Sequence, residues 1–283
     1  MSSPAVSTRP PGISGRALAV LIPLVVLLIP ALFVAPHALA ARRSEAGFAH
    51  QRNLVDAVSG GFVEYWSSGR RDATPGMQRV VDYWFRFHAV KAAVAAMLLV
   101  VLVVLAVRLW RSYVADGPAA GRRFALASSG VLATTLALGS LVFTMANIQG
   151  AVAPLTSALT MLPVSAPHGR LAGSLVQVRH GLAASQQGGH GTPPTLHTMI
   201  DDNARYHLAM AVLTGILLVV LVGVSVLLWR RRRAGTASAA RRARRVLGSH
   251  AVLAAVLALV TLTVMLANMS NAAHPAQGLA AFY

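Results

Sequence analysis

Four residues of two types occupy the positions where chemistry is conceivable: His88, His207, Asn147 and Asn268. The stretch "DYWFRFH", residues 82–88, returns as "DDNARYH", residues 201–207. In both, an Asp leads an Arg by four positions, an aromatic residue and a His follow, and a long apolar run begins at once. "MAN" ending at Asn147 and "LAN" ending at Asn268 close the next apolar run in each case. Together the four residues read as a quasi-symmetric quartet at one membrane rim. Imidazole is the commonest metal ligand, and two His on two hairpins could hold a b-type haem or a metal ion. The competing reading makes each His a polar residue at headgroup level, paired with a neighbouring carboxylate. It makes each Asn a helix C-cap in the left-handed conformation. We adopt this second reading, so the expectation is no catalytic residue, no cofactor and no metal.

Other routes to chemistry are closed by composition. The chain has no Cys, which excludes disulfides and thiolate metal sites. Nine of its ten His, among them His37, His50, His168, His180, His190, His197 and His274, fall on or near one side without zinc-ligand spacing. No nucleophile elbow, P-loop, dinucleotide fingerprint or HExxH motif is present. The apolar runs carry no central ionisable residue of the kind that ion-coupled transporters and proton pumps place at depth. Lys91 alone sits in a run, near its end, where it can snorkel. The hydroxyls of Ser128, Ser129, Thr134, Thr144, Thr214 and Thr261 suit helix packing.

The elements that would position the quartet are membrane helices. Of 283 residues, 55% are hydrophobic and 12% charged, about half the charge of a soluble domain. Five apolar runs, about 17–36, 89–109, 124–146, 207–229 and 250–267, have roughly the length a bilayer core demands. The first follows Arg9 and Arg16 and carries Pro23, Pro30 and Pro36. It reads as a retained anchor. The alternative is a signal peptide cut after the small-x-small site Ala38-Leu39-Ala40.

Charge sets the orientation. Arg108, Arg111, Arg122 and Arg123 lie between the second and third runs. Arg230, Arg231, Arg232, Arg233, Arg241, Arg242, Arg244 and Arg245 lie between the fourth and fifth. Short Arg-rich loops are retained in the cytoplasm. The cytoplasmic side then holds fourteen Arg and one Asp, and the outer side ten Arg and Lys91 against seven acids, a split of +13 against +4. The amino terminus falls inside and the carboxyl terminus outside. The eight-Arg loop can meet anionic lipid headgroups at the membrane surface. Its chief role reads as fixing topology. With no aromatics interleaved among the arginines, nucleic acid is not expected as a partner.

Residues 75–155 and 194–276 align along their length, which predicts a duplicated helical hairpin whose copies enter the membrane from one side. Each begins with Thr-Pro, Thr74-Pro75 and Thr192-Pro193, read as N-cap and first helical residue. From Pro75 to Arg108 is 34 residues, about 50 Å of helix against a hydrocarbon core of about 30 Å. The helices should therefore project, with Asp82–Arg86 and Asp201–Arg205 as i,i+4 pairs on the projecting part. An amphipathic stretch precedes each hairpin: Phe48, Val55, Val58, Phe62 and Tyr65 in one, Leu171, Leu175, Val178 and Leu182 in the other. These read as a lid over the projecting helices, the alternative being interfacial helices lying on the outer leaflet. The segments are thus 1–40, first helix; 41–74, amphipathic; 75–155, first hairpin; 156–192, amphipathic and linker; 193–283, second hairpin.

At "DYWFRFHAVKA" and "MANIQGAVAP" the chain resembles uncharacterised multi-pass membrane proteins of high-GC actinobacteria, often labelled as carrying a twin-arginine signal. Arg9 and Arg16 are not adjacent, a departure from that label. The resemblance implies a membrane location and assigns no chemistry. The fold expected is an all-α membrane bundle of two tandem hairpins, an N-terminal helix and an outer cap. The function expected is a non-enzymatic scaffold, assembly or partner-binding protein acting through that cap, with an unknown membrane protein as partner. A small-molecule or lipid permease and a haem-binding electron carrier are the alternatives.

Overall fold

A computed structural model describes residues 15–41, 47–115, 120–165, 168–187, 191–234 and 240–283. Every regular element among them is helical. They are α1 (Gly15–Ala40), α2 (Gln51–Ser68), α3 (Pro75–Ala115), α4 (Ala120–Val152), α5 (Pro154–Leu159), α6 (Gly169–Gln186), α7 (Pro194–Ala234), α8 (Ala240–Ala273) and α9 (Pro275–Phe282). Five of these, α1, α3, α4, α7 and α8, are long and apolar enough to cross a membrane. Helices suit that solvent because each satisfies its own backbone polar groups.

α3 and α4 form one hairpin, α7 and α8 the other, and the same device closes both. Along α4 the residues turned toward α3 are small or polar: Gly130, Ala133, Ala137, Ser140, Thr144 and Asn147, all buried. They recur every three or four positions. Along α8 the same spacing brings Ala251, Ala254, Ala258 and Thr261 into the interface, again buried. Without a hydrophobic drive inside lipid, such small residues let backbones approach and gain dispersion contact. Ser140 Oγ adds a hydrogen bond to the Ala95 carbonyl across the first hairpin at 2.8 Å. α1 runs antiparallel beside α3. Leu18 and Leu21 pack near Leu105 and Leu109, and Leu32 near Val94 and Ala95. It is helical through Pro23, Pro30 and Pro36 and continues to Ala40, past the end expected at Pro36.

α3 and α7 are each 41 residues long and unbroken, about 60 Å. Their first turns project into a cap with one apolar core. That core draws Leu54, Val58, Phe62 and Tyr65 from α2, Met77, Val80 and Tyr83 from α3, and Leu175, Val178 and Leu182 from α6. Leu155, Ala158 and Leu159 of α5, Leu196 and Met199 of α7 and Leu279 of α9 join it. The amphipathic stretches are therefore lids, with Leu54 rather than Val55 the buried residue of the first. Both lids cross the next long helix at a glycine. A Cβ on Gly61 would stand 3.2 Å from Met77 backbone, and one on Gly181 would stand 2.9 Å from Leu196. Cross-ties lock the lids. Trp66 Nε1 donates to Gln177 Oε1 at 2.6 Å, joining α2 to α6. Tyr65 donates its phenol to the Arg71 carbonyl at 3.0 Å, and burial pushes that phenol's pKa up.

Two details of the helix starts differ from expectation. Thr74 is placed as an N-cap, its carbonyl accepting from Gln78 N–H, but its buried hydroxyl has no partner. At α7 the role falls to Pro193, whose carbonyl accepts from His197 N–H, so the expected Thr192 cap is one residue early. The i,i+4 pairs also differ. Asp82 accepts from Gln78 Nε2 at 2.7 Å, while Arg86 Nε reaches the Ala40 carbonyl at 2.8 Å. No ion pair joins Asp201 to Arg205 among the described residues. A backbone carbonyl at the end of α1 is a better-fixed target for Arg86 than a solvated carboxylate.

Candidate functional site

The rim residues are brought together in pairs, each within its own hairpin. His88 Nδ1 lies 2.8 Å from Asn147 Oδ1, and His207 Nδ1 lies 2.9 Å from Asn268 Oδ1. The partner of each His is an amide, not the carboxylate expected. Each Asn lies inside its helix, and no non-glycine residue among those described has a positive φ. The C-cap reading is therefore corrected. The reason is visible in the second bond of each amide. Asn147 Nδ2 donates to the Phe143 carbonyl at 2.7 Å, and Asn268 Nδ2 to the Val264 carbonyl at 2.9 Å. Holding a helical carbonyl one turn back aims Oδ1 at the facing helix.

In the first hairpin the pair is one step of a longer chain. Trp84 Nε1 donates to Ser157 Oγ at 3.0 Å, and Ser157 Oγ lies 3.2 Å from His88 Nε2. An indole only donates and an amide oxygen only accepts. The directions follow: Trp84 to Ser157, Ser157 to His88 Nε2, His88 Nδ1–H to Asn147, Asn147 to Phe143. His88 is thereby set as the neutral Nδ1–H tautomer, and both its nitrogens are used. Trp84 also stacks on Phe87, centroids 5.0 Å apart, and meets His88 edge-on at 4.7 Å. Gly150 closes the other side; a Cβ there would stand 2.8 Å from three His88 ring atoms.

The second hairpin lacks that extension. Gly278 stands where the alignment expects Ser157's counterpart, and Asn203 where it expects Trp84's. Asn203 Nδ2 turns to the Pro275 carbonyl at 3.0 Å. His207 Nε2 has no partner among the described residues. The quartet thus resolves into two separate pairs. A haem or metal on His88 would have to displace the Ser157 hydroxyl. Among the described residues no three His, Cys, Asp or Glu side chains gather as a metal set.

Asp202, not singled out in the sequence, joins the hairpins. It is buried, and its Oδ2 accepts from the Thr156 backbone N–H at 2.7 Å, at the first turn of α5. Gln149 Nε2 adds a bond to the Tyr206 carbonyl at 3.1 Å. Nothing in "DDNARYH" distinguishes Asp202 from Asp201 until the cap is assembled.

At the opposite end the arginines find aromatic partners that their own loop does not contain. Arg232 and Arg233 lie over the Trp229 ring at 4.8 and 5.4 Å. Arg242 lies 5.8 Å over Tyr113 and donates to the Tyr113 carbonyl at 3.2 Å, tying the two hairpin tips together. The run itself contains no aromatic, as read from the sequence; Trp229 precedes it and Tyr113 belongs to α3. Residues 235–239 lie outside those described, as does His190. No protein family, curated protein or solved structure matches the chain.

Proposed function

We propose that the chain is a non-enzymatic, multi-pass membrane protein that serves as a scaffold or partner-binding subunit through its cap. The carrying observation is the cap core itself. It unites α2, α3, α5, α6, α7 and α9 around fully buried Phe62, Tyr65, Met77, Tyr83 and Met199. A polar surface of Arg52, Asp56, Glu64, Gln177 and His180 is left exposed. So much packed structure outside the apolar spans suits recognition better than conduction.

On this reading the two hairpins descend from one duplicated unit. Their alike helix lengths, their His–Asn pairs and their glycine crossings support it. The cap faces outward, because the Arg-rich tips joined by Arg242 and Tyr113 are at the other end. α1 is retained, since Ala40 is fully buried and its carbonyl is held by Arg86.

The test places a photo-crosslinking residue at Asp56 or His180 on the cap and, as a control, at lipid-facing Val219, in native membranes. A discrete protein adduct from the cap positions alone is expected. Lipid adducts only, at every position, would overturn the partner-binding role. Reporter fusions after Gly117 and Gly235 should read cytoplasmic, and one after Gly188 external; a cytoplasmic result at Gly188 would reverse the orientation.

A further inference from the structure

A groove of about 660 Å³ runs between the two hairpins at their Arg-rich ends. Its walls are apolar: Val103, Val107 and Trp110 of α3, Ala137 of α4, Leu228 of α7 and Val246 of α8. Val103 and Val107 are each 45% exposed, so the groove opens sideways from the bundle.

The Trp110 indole, the Thr134 hydroxyl and one ring nitrogen of His250 are already used. Trp110 Nε1 donates to Thr134 Oγ1 at 3.1 Å, and Thr134 donates to the Gly130 carbonyl at 2.8 Å. His250, edge-on to Trp110 at 4.8 Å, gives its Nδ1–H to the Val246 carbonyl at 2.8 Å. At the rim stand Arg111 from the first hairpin and Arg231 from the second, both exposed. Neither has an aromatic, carbonyl or carboxylate partner among the described residues, unlike Arg232, Arg233 and Arg242. No acid lines the groove.

Two unpaired guanidiniums over an apolar cleft, at the level where apolar spans end, have the charge and depth of one amphiphile. We propose that this groove is a binding site for an anionic phospholipid, its acyl chain along Val103, Val107 and Trp110 and its phosphate between Arg111 and Arg231. Basic pockets between membrane helices recognise such headgroups, and guanidinium forks match phosphate oxygens. The site would mortar the two hairpins at the end where the cap does not hold them. The inference rests on the membrane reading above, but not on the identity of any cap partner.

The full-length chain is reconstituted into phosphatidylcholine vesicles doped with phosphatidylglycerol, extracted in mild detergent and washed. Retained lipid is then counted by mass spectrometry. Stoichiometric phosphatidylglycerol is expected, with phosphatidylcholine washed away. Arg111→Gln with Arg231→Gln should weaken retention about thirtyfold. Val107→Trp, which fills the groove and leaves the charge, should abolish it; Val103→Trp is the second choice if that variant does not fold. Arg16→Gln with Arg108→Gln removes equal charge away from the groove and should change nothing. Excess inorganic phosphate should displace nothing.

Equal losses in both arginine pairs would reduce the effect to surface charge and overturn the site. So would retention in Val107→Trp, displacement by phosphate, or absence of retained lipid. Recovery of the chain without detergent would instead refute the membrane reading, a separate outcome.

Discussion

The two hairpins share a plan but not an environment. In the most apolar part of α3, 39% of residues are buried, against 11% in α7. The difference is largely α1, which lies along α3 and has no counterpart beside α7 among the described residues. The polar positions follow suit. His88 sits in a bond chain from Trp84 to Phe143, whereas His207 has Asn268 alone. Trp110 is packed on Gly130 and bonded to Thr134, whereas Trp229 is 39% exposed under two arginines. Two similar stretches of sequence acquire different energetic weight because one has α1 as a neighbour and because Asn203 and Gly278 replace Trp84 and Ser157 in the other. Fixed geometry accumulates in the first hairpin; the second is left with more surface.

If that contrast is right, the largest effect belongs to Gly150. Gly150→Val would drive a branched side chain into the His88 ring and break its bonds. A loss of about 2 to 3 kcal/mol is expected in thermal unfolding in detergent. The aligned change in the second hairpin, Asn271→Val, should stay within about 0.5 kcal/mol. Equal losses would show that the hairpins are equally packed.

Next comes the link between them. Asp202→Ala leaves the Thr156 N–H buried without an acceptor, which should cost about 2 kcal/mol. At the aligned position Tyr83→Phe removes two long contacts, 3.3 Å to His37 and 3.4 Å to the Phe48 carbonyl. About 0.5 kcal/mol is expected there. The reverse order would mean that the carboxylate is not what holds α5.

The smallest effect sharpens the contrast at the rim. His88→Gln should cost about 1 kcal/mol and His207→Gln about half that, because membrane-helix hydrogen bonds are worth little individually. The double variant should still reach near-normal abundance in membranes, measured by quantitative immunoblot. Stoichiometric iron, copper or zinc in the purified protein, lost in His88→Gln, would move the rim from structure to redox chemistry.

Local properties were legible in the sequence. Apolar length gave the five spans, and amphipathic spacing gave the lids and six of their buried residues, Val58, Phe62, Tyr65, Leu175, Val178 and Leu182, while missing Leu54 and Val63. The alignment placed His88, His207, Asn147 and Asn268 at one level, but as a quartet rather than as the two pairs that form. What escaped were choices of partner. Asn147 could cap a helix end or hold a carbonyl one turn back, and only the length of α4 beyond it decides. Arg86 had an acid four residues away, yet its guanidinium found the carbonyl of Ala40, 46 residues distant. Ser157 and Trp84 meet across 73 residues with no spacing signal at all. Such choices depend on which surfaces the assembled bundle brings within reach, and no window of sequence contains them.

The cap core also has a temporal meaning. Its buried side chains span Ala40 to Leu279, nearly the whole chain. A ribosome delivers these residues in order, and contacts between distant positions form only after the intervening chain is in place. Neither lid can finish closing until Leu279 arrives, behind the last span. A chain with one hairpin inserted the wrong way would leave the apolar faces of both lids wet. Closure of the cap is therefore a built-in signature of completed insertion, and quality-control proteases that sense exposed apolar surface would find their target only on chains that failed it.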